Sequence, residues 1–300
     1  MAGGQAPLHG VGLKPAKFAY HAPNSLAEAL SLLTHYAGEA RVLAGGQSLI
    51  PMMNFRIATP SAIIDLNRVP DLDYIRHEID IVRIGAMTRQ RKIEFSGVIA
   101  ETLPLLRDAI KLVGHLPTRS RGTIGGSLAH ADPAAELPMA LQVLEGEVVA
   151  RGSEGERVIK AGDFFRSPLV TALTSEEILI EVRFPVMPGN AGYAVEEFAR
   201  RHGDFAICAI AAVLMREGER CVKARLATSG TAPAPLRLKA AEGVLEQKGL
   251  GDLAIEEAAE AAARAVEPMN DQNGSVEFRR HLTRVLTGRA LRRAAEARAR

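Results

Sequence analysis

The chain has 300 residues, 47% hydrophobic and 24% charged, a composition typical of a globular protein large enough for two or three packed domains. Its formal net charge is +2, so no strong field favours nucleic acid or an anionic membrane as a partner. The longest apolar run, AICAIAAVLM at 206–215, is about half as long as a membrane-spanning helix requires. This run instead predicts a buried strand.

The N-terminus and the cysteines narrow the class further. The first residues contain no basic segment followed by an apolar stretch, which predicts a cytoplasmic protein with a loose arm at 1–13. Cys208 and Cys221 are the only cysteines. Neither an iron–sulfur cluster nor a cysteine-based zinc site can be built from this chain alone, and both thiols are predicted to be inert.

Mixed helices and strands are predicted up to about residue 190. NSLAEALSLLTHY predicts a helix capped by Asn24 or Ser25, and LPLLRDAIKLVG at 103–114 predicts another helix. Short apolar runs bounded by Gly, Pro or Asp predict strands. The strand segments are ARVLAGG, SAIIDL at 61–66, IDIVRIGA at 79–86, a hairpin with a Gly-Ser-Glu-Gly turn, and EEILIEVRFP at 176–185.

A domain boundary is predicted at VMPGNAGY, because strands and helices are separated beyond it. Strands are predicted at 194–200, 206–215 and 221–229, and helices at 237–247, 253–266 and 276–297. This order of a sheet followed by helices indicates an α+β class. The Ala/Arg-rich C-terminal end predicts a solvated helix.

Two glycine pairs have the same form and a similar setting. LAGGQSL at 43–49 follows a predicted strand and precedes a short helix in SLIPMMNFR, and TIGGSLA at 123–129 follows the irregular segment HLPTRSRG. Paired glycines allow positive φ and close approach of a ligand to backbone N–H groups, with Ser48 and Ser127 adding hydroxyls. Two such pairs suit a ligand with two neighbouring phosphates, which indicates a dinucleotide.

Other kinds of site are less well supported. His130, Asp132 and Glu136 could begin a metal site, but this window supplies too few ligands. Asp132 followed by Pro133 is also the pattern of a helix start. No Walker motif and no Gly-x-Ser-x-Gly occurs, and GLGDLA at 249–254 does not follow a strand, so a P-loop, a serine hydrolase and a Rossmann fingerprint are not indicated.

The segments LAGGQSLIPMMNFR, RGTIGGSLAHADPAAELP, EEILIEVRFP and EFARRHGDFAI occur in this order. With them the chain resembles the FAD-binding medium subunits of the molybdenum hydroxylases, such as aerobic carbon monoxide dehydrogenase and the bacterial xanthine, nicotine and caffeine dehydrogenases. The resemblance implies an α+β fold. A PCMH/vanillyl-alcohol-oxidase-type FAD-binding domain of two subdomains at 14–190 would precede a CO dehydrogenase flavoprotein-type C-terminal domain of sheet and helices at 191–300.

The same resemblance implies that both glycine segments hold the FAD pyrophosphate and that three separate residues lie near the cofactor. The implied cofactor-binding residues are Val42, Leu43, Ala44, Gly45, Gly46, Gln47, Ser48, Leu49, Val113, Thr123, Ile124, Gly125, Gly126, Ser127, Glu136 and Leu179. No catalytic residue and no metal ligand is implied in this chain. Where many relatives place a lysine before F-x-R-R, this chain has Glu196 and Glu197.

The function implied is electron transfer through FAD. A molybdopterin centre on a large subunit would hydroxylate the substrate, 2Fe-2S clusters on a small subunit would carry the electrons, and the FAD here would pass them to an external acceptor. A dimer of such heterotrimers is expected. A free-standing FAD-dependent oxidoreductase and a non-redox nucleotide-binding module stay open as alternatives, and the substrate and the acceptor are not specified.

Overall fold

The computed structural model describes residues 14–217 and 220–296, and the predicted arm at 1–13 lies outside them. The strands are β1 (Ala19–His21), β2 (Ala40–Leu43), β3 (Ala62–Asp65), β4 (Ile75–Glu78), β5 (Ile81–Gly85), β6 (Glu147–Gly152), β7 (Gly155–Lys160), β8 (Phe165–Ser167), β9 (Val170–Thr171), β10 (Ile178–Pro185), β11 (Ala191–Phe198), β12 (Cys208–Glu217), β13 (Arg220–Ser229) and β14 (Leu236–Arg237).

The α-helices connect and cover these strands. They are α1 (Leu26–His35), α2 (Leu49–Asn54), α3 (Gln90–Glu94), α4 (Gly97–Thr102), α5 (Pro104–Leu112), α6 (Leu116–Arg121), α7 (Ile124–His130), α8 (Glu136–Val143), α9 (Ala161–Phe164), α10 (Lys239–Lys248), α11 (Asp252–Ala265) and α12 (Val276–Glu296). The predicted α+β class is confirmed. Within the described ranges, no helix is both long and apolar enough to cross a membrane.

The first sheet is small and parallel, with the strand order β1-β3-β2. Helix α1 packs against it and begins at Ser25, whose side chain accepts a hydrogen bond from the Glu28 N–H at 3.1 Å. Because β2 and β3 run in the same direction, the segments that leave their carboxyl ends lie at one edge of the sheet. The first glycine segment therefore lies beside the residues that follow Asp65.

The second sheet has five strands in the order β4-β5-β10-β6-β7, and each pairing is antiparallel. The hairpin β6–β7 has the predicted turn between Gly152 and Gly155, and β10 ends at Pro185 as predicted. Helices α3 to α8 supply most of the remaining core residues of this part, including Leu106, Leu128 and Leu141.

The third sheet, β11-β12-β13-β14, is antiparallel and buried on both faces. Along β12, Ala209, Ala211 and Val213 belong to the core shared with α5 and α8, while the alternate residues belong to the core shared with α10 to α12. Adjacent residues of a strand point to opposite faces. Burial on both faces therefore explains why the sequence of β12 is apolar without interruption.

The structure corrects three local predictions. HLPTRSRG is not irregular, because α6 occupies most of it, with Pro117 in the first turn where no N–H is needed. Asp132 does not cap a helix: its Oδ1 accepts from the Ala134 N–H at 2.9 Å in a turn, and α8 begins only at Glu136. The C-terminal helix is less solvated than predicted, since Ala290 and Leu291 pack into the core beside β11 and β12.

A buried ion pair joins the helices that precede the second glycine segment. Arg119 of α6 donates from Nε to Glu94 Oε2 of α3 at 2.9 Å, and both side chains are about 11% exposed. The same guanidinium donates to the carbonyl oxygens of Val113 and Gly114 at the end of α5. Arg119 of α6 thus binds acceptors on α3 and at the end of α5.

Replacing Glu94 with Ala should lower the free energy of unfolding by about 3–5 kcal/mol, because it leaves the buried guanidinium without its counter-charge. Urea denaturation followed by circular dichroism measures the change. Asp73→Ala is the matched control, since the Lys92–Asp73 pair at 2.8 Å is half exposed and contributes no more than about 1 kcal/mol. Equal, small losses in both variants would contradict the bracing role of Arg119.

Candidate nucleotide-binding site

The structure brings the two glycine segments into direct contact. A Cβ added to Gly45 would lie 2.5 Å from the Arg121 carbonyl oxygen and 2.8 Å from Gly122 Cα. A Cβ added to Gly126 would lie 3.3 Å from Ala44 Cβ. Such approaches require residues without side chains. Segments about 80 residues apart in sequence therefore form one surface.

The two glycine pairs differ in backbone conformation. Gly46 has a φ of +74°, so the first segment has the left-handed geometry that its sequence predicts. Gly125 and Gly126 have no positive φ; they form the first turn of α7, where the Thr123 hydroxyl accepts from the Gly126 N–H at 3.0 Å. The prediction of a positive-φ loop is wrong for this pair. Space explains its glycines, because a Cβ on Gly125 would lie 2.6 Å from Ala86 Cβ.

A cleft of about 340 Å³ opens beside the first segment. It is lined by Leu43, Ala44, Gly45, Gly46, Gln47, Ile50, Pro51, Asp65, Asn67 and Arg121. The sequence patterns did not indicate the last five of these lining residues, from Ile50 to Arg121. A signal existed for Asp65 and Asn67, because they follow a strand parallel to the one that the first glycine segment follows.

Arg89 holds the two sides of this surface together. Its Nη1 donates to the carbonyl oxygen of Arg121, and its Nη2 donates to Asn67 Oδ1. Asn67 in turn donates from Nδ2 to the Ala44 carbonyl at 3.0 Å and accepts nothing further from the first segment. The Arg89 guanidinium is thus a brace between the first segment and the residues that precede the second.

Arg89 and Arg121 bring two positive charges to the brace. Burial lowers the pKa of Arg89 and the nearby Arg121 guanidinium lowers it further, while the nearby carboxylates of Asp73 and Asp65 partly offset this lowering. Within residues 14–217 and 220–296, neither arginine forms an ion pair with a carboxylate. A guanidinium pair next to glycine backbone is suited to a phosphate-bearing ligand, because it offers both charge and planar N–H donors.

The lining of this cleft includes neither Val42, Ser48 and Leu49 nor any residue of 123–127, and the three separate predicted contact residues lie outside it as well. Val113 follows α5 and is half buried, and Leu179 of β10 is buried in the large core. Glu136 is buried at the start of α8 beside Glu197 of β11. His130 Nε2 lies 4.0 Å from Asp132 Oδ2, and the described part of the chain contains no group of three or more potential metal-ligating side chains.

Two glutamates and two cysteines have pKa values above their usual ranges. Burial is the main cause that raises the pKa of Glu136 to about 8 and that of Glu197 to about 7. Burial also raises the pKa of Cys208 to about 12 and that of Cys221 to about 11. Both thiols are therefore protonated and unreactive at neutral pH.

Comparison with known protein families identifies the fold. The family model described as the FAD binding domain in molybdopterin dehydrogenase matches residues 16–187. This chain belongs to the FAD-binding subunits of the molybdenum hydroxylases. The CO dehydrogenase flavoprotein C-terminal domain matches residues 193–294, so the two matches together take in nearly all of the described strands and helices of this flavoprotein subunit.

Similar proteins match this flavoprotein subunit over nearly its whole length. The 6-hydroxypseudooxynicotine dehydrogenase complex subunit alpha of Paenarthrobacter nicotinovorans is 39% identical, and the alignment covers 94% of this chain and 96% of that protein. The carbon monoxide dehydrogenase medium chain of Afipia carboxidovorans is also 39% identical, with 93% and 97% covered.

Solved structures agree with this result. A carbon monoxide dehydrogenase from Hydrogenophaga pseudoflava superimposes with a TM-score of 0.92 at 38% identity and covers 94% of this chain and 98% of that one. Quinoline 2-oxidoreductase from Pseudomonas putida 86 gives 0.90 at 35% identity, with the same coverage.

The glycine surface of this flavoprotein subunit fits FAD. The pyrophosphate of FAD carries two neighbouring negative charges, and here two side-chain-free segments meet beside two arginines. Any side chain at Gly45 or Gly126 would fill space that the two segments need. The residues at 42–49 and 123–127, together with Arg89 and Arg121, would hold the cofactor at its pyrophosphate.

Replacing Gly126 with Leu should remove FAD from the purified protein, because the new Cβ would lie 2.8 Å from Thr123 Oγ1 in the first turn of α7 and 3.3 Å from Ala44 Cβ in the first segment, so the larger side chain would distort both segments. The flavin absorbance per chain measures occupancy. Gly97→Leu is the matched control, since no atom lies within 4 Å of a Cβ at that exposed helical position. Full occupancy in Gly126→Leu would rule out the second segment as part of the cofactor site.

Replacing Arg89 with Ala should raise the FAD dissociation constant about tenfold or more, because it removes two hydrogen bonds from a charged donor, worth about 1.5–3 kcal/mol each, that hold the two segments in the arrangement proposed to bind the pyrophosphate. Arg89→Lys should restore little, since one ammonium does not reproduce the planar fork that spans Asn67 and Arg121. Fluorescence titration of the apoprotein with FAD measures both. Arg91→Ala is the control, because Arg91 contacts Ser120 and Phe95 instead; unchanged affinity in Arg89→Ala would exclude the brace.

Proposed function

We propose that this subunit transfers electrons from 2Fe-2S clusters on a partner subunit, through its FAD, to an external acceptor. The contact between the two glycine segments, braced by Arg89, is the observation that carries the proposal, because it provides a pyrophosphate site. Relatives named as a dehydrogenase complex subunit and as medium chains support a role within a larger enzyme.

The residues of the chain suit cofactor binding more than acid–base catalysis. FAD, when bound, supplies reversible electron transfer between one-electron and two-electron carriers. The glycine segments and the two arginines would fix its pyrophosphate. Val113, Glu136 and Leu179 stay predicted contacts to the rest of the cofactor.

The expected partners are a large molybdopterin subunit and a small 2Fe-2S subunit, assembled as a dimer of heterotrimers. With Cys208 and Cys221 both buried and protonated, the described residues offer no thiolate set for a cluster. The clusters would therefore be held by the small subunit, and substrate hydroxylation would take place at the molybdopterin of the large subunit. The substrate is determined there, and the acceptor is determined at the FAD.

The experiment is affinity purification of the tagged chain from its native host, followed by measurement of FAD, iron and molybdenum per chain. We expect two further subunits to co-purify, with iron and molybdenum in the complex and FAD in this chain. The complex is then mixed with a first panel of compounds after which relatives are named, namely carbon monoxide, caffeine, quinoline and glyceraldehyde. A compound that is oxidised should bleach the flavin absorbance.

The isolated chain with bound FAD is the control, and no member of the panel should bleach it. Turnover by the isolated chain would instead support a free-standing FAD oxidoreductase. A colourless protein that binds a nucleotide would support a non-redox module, and either result would overturn the proposal.

A further inference from the structure

A buried and a partly buried carboxyl group meet where the N-terminal and C-terminal domains touch. Glu136 is the first residue of α8 and is only 4% exposed, and Glu197 lies on β11. Their side chains are within hydrogen-bonding range of each other. Ionised carboxylates only accept hydrogen bonds. A hydrogen bond between these two side chains therefore requires a proton on one of them.

In the part of the chain that the structure describes, no cation compensates the pair. The charges that act on Glu136 are those of Glu197 and Asp132, both acidic, and the causes that shift Glu197 include no lysine or arginine. In addition, Glu197 Oε2 is buried and accepts no hydrogen bond from an N–H or from a hydroxyl group. A pair of buried negative charges in this setting would be strongly unfavourable.

The neighbouring ionisable groups are engaged elsewhere or neutral. On the connection between α7 and α8, His130 faces Asp132. On β12, the Cys208 thiol stays protonated, and Glu197 contributes to that. On α12, Arg279 binds Asp271 and Arg293 binds Glu196. Tyr193 lies four residues before Glu197 on β11, and therefore on the same face of that strand.

We propose that Glu136 and Glu197 share one proton at neutral pH, and that this acid–carboxylate hydrogen bond helps to hold the two domains together. A backbone hydrogen bond from the Gly230 N–H to the Pro133 carbonyl, at 2.8 Å, crosses the same domain contact. Loss of the shared proton would leave two like charges facing each other, and the contact would weaken. The inference concerns the polypeptide alone and does not depend on FAD.

The sign of the pH dependence follows from the raised pKa values. In the unfolded chain a glutamate has a pKa near 4.5, whereas burial raises the pKa of Glu136 to about 8. Between these values the folded state holds a proton that the unfolded state has lost. The pair therefore makes the folded state less stable as pH rises from about 4.5 to about 8, and has no such effect below that range.

The test is the pH dependence of unfolding in Glu136→Gln, measured on the full chain. The amide has the shape of a protonated carboxyl and donates to the Glu197 carboxylate at every pH. One bound proton changes the unfolding equilibrium constant by about tenfold per pH unit. As pH rises, the unfolding equilibrium constant of the wild type should therefore increase by up to about tenfold more per pH unit than that of the variant. Glu197→Gln should flatten the profile in the same way, and Glu101→Gln, at an exposed position of α4, should not.

Infrared spectroscopy gives a readout that does not depend on how well a variant folds. At pH 7 the wild-type protein should show the C=O stretch of a protonated carboxyl, which should disappear above the pKa of the pair. The band should be absent from Glu136→Gln and present in Glu101→Gln. A wild-type spectrum without this band at pH 7, or equal pH slopes in all variants, would overturn the proposal.

Discussion

The site depends on how closely two stretches of main chain can approach. Gly45 lies against the Arg121 carbonyl and Gly122 at distances that exclude a Cβ, and this contact joins the parallel sheet to the helices that precede α7. The cleft, the brace and the proposed pyrophosphate site follow from it. Other parts of the fold position these two stretches. Gly45 follows strand β2 of the parallel sheet, and the ion pair of Arg119 with Glu94 holds helix α6, which ends at Arg121.

The sequence predicted most of what is determined by local patterns. The apolar run of β12, the hairpin turn at Gly152 and Gly155, and the helix cap at Ser25 each arise from a few neighbouring residues. The glycine pairs were identified because their form is repeated. Their conformations were predicted correctly only at Gly46, because a pattern of glycines does not distinguish a need for positive φ from a need for space.

What the sequence did not reveal depends on contacts between distant residues. Arg89 lies between its two acceptors only after three segments have packed, and no spacing in the sequence indicates this. The resemblance places Glu136 near the cofactor, and the pattern does not indicate that its carboxyl group also interacts with Glu197 in the other domain. Burial of charge is a property of the assembled fold, so composition alone does not reveal it.

The order of the chain has a consequence for biosynthesis. Ala44 and Asn67 leave the ribosome well before Arg89, and Gly122 and Gly126 come later still. Because the brace and the close backbone contact need all of these residues, the nascent chain should be unable to capture its cofactor until the N-terminal domain is largely synthesised. The alanine-rich face of β12, which completes the core of that domain, comes last. Flavin loading of this subunit is therefore expected to wait until residues up to the end of β12 have been synthesised.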